Sequence, residues 1–424
     1  MQFGIFYEHQ LPKPWSEDDE YRLLTEALEQ VVLADRLGYD YAWEVEHHFL
    51  DEYSHSSAPE VFLAACAART GRIRLGHGIR QVIPNYNHPA RTAETLATLD
   101  LVSDGRVEFG IGEGATRLEL HAFGIRAREK RAMSLEAAEQ VANMMVLDPY
   151  PGFESEHFSL PCRNVLPTPR QKPHPPMWIA CTNRDTIKVA AQHGLGALAF
   201  SFIDPDEAKR WVDIYYDIIR SDACVPLGHT VNANLALVTG FSMHEDRAEA
   251  VRRGREGFEF FGYALNALVA HDQVPGRTDL WGEFQQRRGP DAVERTVAEA
   301  VAAGDDYASC IGTPDDARRY LRELEEVGVD QVIFLQQAGR NRHDDICSSL
   351  ELFAAEVMPE FAASETDRLT VKDASLAPHV DAALGRKQWM APLADEDIPV
   401  VPASVARAPV SYTHLTLPTT LPRC

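Results

Sequence analysis

The chain has 424 residues, 45% hydrophobic and 25% charged, with a formal net charge of −23. This is ordinary globular composition, long enough for one large domain or two smaller ones. The acidity argues against nucleic acid or an anionic membrane as partner, because both would repel it. Cysteines at 66, 162, 181, 224, 310, 347 and 424 are odd in number and form no CxxC pair. They argue against a disulfide framework or a zinc site, and for a reducing, cytoplasmic compartment. The opening MQFGIFYEHQ has no basic n-region or long apolar h-region, so it reads as a strand and not a signal peptide. No window approaches the roughly eighteen uninterrupted apolar residues of a membrane span.

Strand and helix alternate along the chain. Gln2 to Tyr7 is the first expected strand, and Tyr21 to Leu37 a helix with Leu24, Leu28, Val31 and Ala34 at helical spacing and Gly38 as C-cap. Tyr41 to Val45 is a second strand, Ala58 to Arg69 a helix with Pro59 in its first turn, and Ile73 to Gly78 a third strand. Pro89 to Ser103 is helical, Val107 to Ile111 a fourth strand ending in GIGEG, and Arg128 to Leu147 helical. Residues 148–176 break the rhythm with Pro, Gly and aromatics and read as an extended insertion. Met177 to Ala180, Ala197 to Phe202, Asn232 to Thr239 and Asp330 to Leu335 are strands five to eight. Helices are expected over Asp185 to His193, Asp206 to Ser221, His244 to Val269, Thr313 to Val327 and Asp344 to Phe361. Residues 271–300 are polar, rich in Arg and Gly, and read as partly mobile.

Eight strands alternating with helices predict an α/β fold, a TIM (β/α)8 barrel with insertions. Its domain spans residues 1–363, and an irregular Ala/Pro/Asp-rich extension covers 364–409. The tail 410–424 begins VSYTHL, which resembles one reading frame of a transposon end used in preparing sequencing libraries, and is read as non-native.

Barrel chemistry belongs at the C-terminal ends of the strands. Glu46, His47 and His48 follow the second strand in WEVEHHF, and adjacent titratable groups there suggest presented chemistry more than packing. A metal site from His47, His48, Asp51 and His55 lacks a standard ligand spacing, so no metal is expected. GIGEG, Gly110 to Gly114, does not have the GxGxxG spacing of a dinucleotide loop; it suits a backbone that approaches a flat ring closely. After the fifth strand, Thr182, Asn183, Arg184 and Thr186 set hydroxyls, an amide and a cation at a helix start, which suits an anion; Asn183 or Asp185 also reads as a cap. Asn85 to His88 and the polar Gln336 to His343 are open between pocket lining and capping.

The segments WEVEHHF, IRLGHGIRQVIPNYNHPAR, LDLVSDGRVEFGIGEG with HAFGI, and IGTPDDARRYL…VGVDQVIF…LELFAAEVMPEF occur in an order that resembles the bacterial luciferase-like flavin-dependent oxidoreductases, over residues 1–361. The resemblance implies a TIM barrel holding reduced FMN. It implies His47 as the catalytically important histidine, with His48 and Glu46 beside it, and Arg131 as a phosphate contact next to Thr182, Asn183 and Thr186. A cis non-proline peptide bond is implied within Gly78 to Gln81, under the flavin ring, making Gly78, Ile79 and Arg80 cofactor-binding positions together with Gly112 and Glu113. Luciferases carry a reactive cysteine where this chain has Gly112, a departure that puts light emission in doubt.

The implied reaction is a monooxygenation: reduced FMN from a separate flavin reductase, molecular oxygen, and a small organic substrate, in a homodimer. A deazaflavin coenzyme on the same fold, giving a dehydrogenase or reductase, is the alternative. A non-catalytic flavin-binding protein and a barrel hydrolase using Glu46 and the histidines are the other readings.

Overall fold

Runs such as Gln2–Tyr7 and Gln331–Gln336 bury nearly every side chain, the pattern of parallel strands covered on both faces. In the computed structural model, which describes residues 1–402, such runs close into an eight-stranded parallel barrel. Its strands are β1 (Gln2–Tyr7), β2 (Tyr41–Glu44), β3 (Arg74–Gln81), β4 (Val107–Gly112), β7 (Met177–Cys181), β8 (Gly196–Ala199), β9 (Leu235–Gly240) and β12 (Gln331–Gln336). They pair in that order, and β12 returns to β1 in register from Gln2↔Gln331 to Tyr7↔Gln336. These are the eight strands the sequence predicts, with small shifts at their ends.

The crossovers carry α1 (Asp19–Leu37), α2 (Pro59–Ala67), α3 (Pro89–Val102), α4 (Arg117–Ala122), α5 (Lys130–Val146), α6 (Arg184–Gln192) and α7 (Pro205–Ile219). Proline opens α2, α3 and α7, where its missing N–H costs nothing. Gly38, at φ 95°, ends α1 in the left-handed conformation. The buried face of α1 is set by Leu23, Ala27, Val31 and Ala34, while Leu24 is exposed. Within the expected insertion, β5 (Tyr150–Glu154) and β6 (Ser159–Arg163) form an antiparallel hairpin.

After β9, a small pair of strands, β10 (Ser242–Met243) and β11 (Ile311–Gly312), brackets α8 (Arg247–Ala270), α9 (Leu280–Arg288) and α10 (Ala292–Ala302). Residues 271–300, read from sequence as partly mobile, thus contain α9 and part of α10. Leu280, Trp281 and Phe284 are buried against Phe260, and Glu52 accepts the N–H groups of Leu280 and Trp281 at 2.6 and 3.1 Å. The chain closes with α11 (Pro314–Glu326), α12 (His343–Glu356) and α13 (Met358–Arg386).

Helix α13 corrects the expectation of an irregular extension from residue 364. It is helical to Arg386, with Pro378 inside it, and it packs across the N-terminal end of the barrel. Its polar residues have partners there. Arg368 and Lys372 donate to the buried Asp330 at 2.9 and 2.7 Å, and Lys372 also reaches Asn234 at 2.7 Å. The Met1 ammonium bonds Glu365. The tail 410–424 lies outside the described residues.

Two tryptophans fill the barrel. Trp43 and Trp178 meet edge to face at 5.3 Å, inside a ring that includes Phe6, Leu198, Val238, Ile333 and Leu335. A Cβ at Gly76 would enter the Trp43 ring, and one at Gly196 the Trp178 ring, so only glycine admits the pair.

Removing the Asp330 carboxylate strips a buried partner from Arg368 and Lys372, which keep only Glu365 and Asn234, and leaves the Leu235 N–H without its acceptor. Asp330→Ala should lower unfolding free energy by roughly 3 kcal/mol, read from the denaturant midpoint at unchanged m-value.

Candidate active site

Above the two tryptophans the barrel opens into a cavity of about 330 Å³ at the C-terminal strand ends. That lies at the low end of ligand clefts, roughly 300–1,000 Å³. Its wall combines Val45, Ile79, Ile179, Ala180, Phe200, Phe261 and Leu265 with the polar Glu8, His47, Tyr53 and Gln81. At the other end stand Glu113, Lys130, Arg131, Ser134, Thr182, Asn183 and Thr186. A wider cleft of about 640 Å³, between α1 and the loop after β12, is lined by Arg22, Gln337, Arg340, Arg342 and His343 among others; it takes in the polar stretch weighed as pocket lining but none of the expected catalytic or cofactor-binding residues.

His47 sits on the loop after β2. Its N–H donates to Ser56 O at 2.8 Å, and Ser56 in turn bonds Glu44 and Val45 O, which fixes the loop. The imidazole lies between two carboxylates. Nδ1 is 3.0 Å from Glu119, and Nε2 is 3.7 Å from Glu8. Burial alone would drive its pKa down. The Glu119 and Glu8 charges outweigh burial, with help from Glu46, and push it up to about 9. Glu119 also accepts the His48 N–H at 3.1 Å and the Thr116 hydroxyl at 2.8 Å; burial opposes its ionisation, but His47 and these donors hold its carboxyl below the ordinary range.

The far end is cationic. Glu113 bridges Lys130 at 3.3 Å and Arg131 at 3.1 Å, and Lys130 also donates to Gly114 O at 2.6 Å. Asn183 caps α6, accepting from Asp185 and Thr186 N–H at 3.0 Å each, while the Thr186 hydroxyl accepts from Thr182 and Asn183 N–H. The capping role foreseen for Asn183 therefore coexists with its place on the cavity wall.

Of the residues singled out from sequence, His47, Gly78, Ile79, Gly112, Glu113, Arg131, Thr182, Asn183 and Thr186 share this one cavity. A cis peptide joins Gly78 to Ile79, within the segment where one was expected. Arg80 is off the wall. The β3–β4 pairing carries one extra residue between His77 and Arg80, so the alternation shifts. Ile79 and Gln81 then line the cavity, and Arg80 turns to Glu60 at 3.2 Å and Asn87 at 3.3 Å. Arg184 is also displaced, because Glu207 on α7 takes its guanidinium.

His48 and Glu46 are not on the wall either. Glu46 accepts from Gln81 N–H at 2.9 Å, Asn87 at 2.7 Å and His48 at 3.2 Å, and His48 stacks on Tyr86. Trp43 and Trp178 belong to the interior, and His88 caps α3. Gln337 bonds His9 and Leu23 O, closing the strand end rather than the cavity. Asp51 pairs with Lys13 and His55 with Glu20, so the residues weighed as metal ligands point to separate partners. Sequence reasoning missed Glu8, Tyr53, Lys130, Ser134 and Glu119. Glu8 directly follows the first strand, at the level where barrel chemistry sits, and was the legible one.

The model of the luciferase-like monooxygenase family matches residues 1–331. The chain belongs to this family. The alkanal monooxygenase alpha chain of Photorhabdus luminescens is 24% identical over 373 residues, 85% of this chain and 96% of that protein. The oxygenase component of a flavin-dependent trigonelline monooxygenase from Acinetobacter baylyi is 24% identical over 387 residues, 87% and 98% of the two chains. A crystal structure of a monooxygenase from Streptomyces bottropensis superposes with a TM-score of 0.68 at 27% identity, covering 85% of this chain and all of that one.

In this luciferase-like monooxygenase a side chain at Gly112 would require Ile79 to change rotamer. A Cβ there would run into the Ile79 side chain. No described helix is long and apolar enough to cross a membrane.

Protonation of His47 ties the site to stability. A group whose folded pKa is raised adds stability that is complete below its unfolded value and is lost as pH rises through the folded one. For His47 that window runs from 6.5 to about 9. Glu8, raised from 4.5 to about 7, acts in the same sense over its own range. The melting temperature should therefore fall between pH 6.5 and 9, and His47→Gln should flatten that slope in a thermal scan series; an unchanged slope would contradict the assignment.

Proposed function

We propose that the enzyme binds reduced FMN across the barrel mouth and, with molecular oxygen, oxygenates a small, largely apolar organic substrate. One observation carries this reading: a single cavity joins His47 to the Lys130–Arg131 cation pair through an apolar wall. The residues present fit the group. Arg131, Lys130 and the Thr182 hydroxyl suit its phosphate, and Gly112 with Ile79, Val45 and Phe200 suits a flat ring. Glu113 now shares the two cations, so a phosphate there competes with a carboxylate.

Reduced FMN, when bound, supplies the electrons for oxygen chemistry. The chain contributes the rest. Phe200, Phe261 and Leu265 exclude water from the reacting region. His47 holds a proton at Nε2, on the cavity side, and Glu119 fixes the ring from Nδ1. Glu46 and His48 act as positioning residues, since Glu46 ties the His47 loop to the end of β3. The apolar wall favours an apolar substrate. A separate reductase as electron source is supported by the Acinetobacter relative, an oxygenase component by name. Pairing of two copies belongs to the same reading; Val61 on α2 and Leu101 and Val102 on the adjacent α3 are exposed apolar residues available for it.

Anaerobic fluorescence titration with reduced FMN tests the proposal. Arg131→Ala should weaken binding roughly 10- to 100-fold, the worth of one charge-assisted hydrogen bond of about 1.5–3 kcal/mol. Glu113→Gln should tighten it. Tight binding of a deazaflavin coenzyme with none for FMN would overturn the assignment in favour of hydride transfer.

A further inference from the structure

Glu8 follows β1 directly, and its side chain is only 5% exposed on the cavity wall. One carboxyl oxygen, Oε1, accepts the Tyr53 hydroxyl at 3.0 Å. The other, Oε2, has no hydrogen-bond partner and stands 3.7 Å from His47 Nε2. A buried carboxylate oxygen left bare is costly. Glu119, on the opposite side of the imidazole, is the contrast: both of its oxygens are engaged, by His47 and His48 at one and Thr116 at the other. Glu119 is thus a fixed anion, and Glu8 is free to change its proton.

We propose that Glu8 is a second proton-exchanging residue of this cavity, handing its Oε2 proton to His47 Nε2 once His47 has given up its own to an acceptor in the cavity. The O–H bond of Glu8 breaks as an N–H bond forms at Nε2, and the proton that leaves Nε2 bonds to the acceptor. No electrons move. Glu8 is left a carboxylate that still accepts from Tyr53, and a hydronium ion or buffer acid arriving from solvent at the mouth returns its proton and leaves as water or the buffer base. The acceptor's identity rests on the flavin reading above; the proton exchange between Glu8 and His47 does not.

The surrounding charges agree with this geometry. Burial pushes the Glu8 carboxyl up, His47 and the Tyr53 hydroxyl pull it back, and Glu119 and Glu44 raise it again, leaving it at about 7. His9 faces the Glu44 side at 2.8 Å, and Glu46 acts on His47. Near neutrality Glu8 therefore exists in both forms while His47 keeps its proton.

The test is infrared titration of the full-length protein without flavin, joined to a pH profile of turnover. A carboxylic-acid C=O band should disappear as pH rises through about 7 and be missing in Glu8→Gln. Tyr53→Phe, which removes a donor favouring the carboxylate, should move its midpoint upward. In turnover, wild type should lose kcat along the same alkaline limb, and Glu8→Gln should lose that limb together with about 10²-fold in kcat. A Glu8→Gln enzyme with the wild-type pH profile, or no band titrating near neutrality, would overturn the proposal. If the band titrates but FMN does not bind, the exchange stands and the flavin reading falls; if FMN binds and no band titrates, the exchange alone falls.

Discussion

The edge-to-face contact of Trp43 with Trp178 inside the barrel is the packing on which the site depends. Two indoles fill the middle of the cylinder only because Gly76 and Gly196 leave space beside them. Aromatic side chains bury large areas and tolerate few alternative arrangements. The plug closes the interior below, and α13 covers the N-terminal end through Asp330. The C-terminal mouth remains as the opening. The ends of β1, β2, β3, β4, β7 and β8 then face one shared space.

At that mouth the fold brings together charges from distant parts of the chain. Glu8 comes from the end of β1, His47 from the loop after β2, and Glu119 from α4. Each carboxylate alone would be costly to bury, and the imidazolium between them offsets that cost in geometry close enough to count. The opposite end repeats the pattern in reverse, with Glu113 between Lys130 and Arg131. The cavity is thus polar at its two ends and apolar in its middle. A long planar ligand with an anionic tail matches this division, because its ring needs contact area and its tail needs cations.

The fold was legible because strands buried on both faces write apolar runs into the sequence, and because Gly and Pro mark the helix ends. The family resemblance agreed with that count independently. The site was legible in part. His47 and the loop Thr182 to Thr186 stood out as polar groups at strand ends. Arg80 was misplaced because one extra residue in β3 reverses its side, a change of register that no composition reveals. Arg184 was misplaced because Glu207, on another helix, captures it. Glu119 carried no signal of its own, since its meaning comes from meeting His47 across 72 residues of sequence. Helix α13 was hidden by its Pro and Asp content, although its Arg368 and Lys372 have buried partners that only the folded chain supplies.

A crystal structure of the protein with FMN bound tests the central claim most directly. The phosphate should lie against Arg131 and the Thr182 hydroxyl, with Glu113 released from at least one cation and the ring over Gly78 and Ile79, one edge toward His47. A flavin seated elsewhere, in the wider cleft beside α1 or with its phosphate at the His47 end, would contradict it.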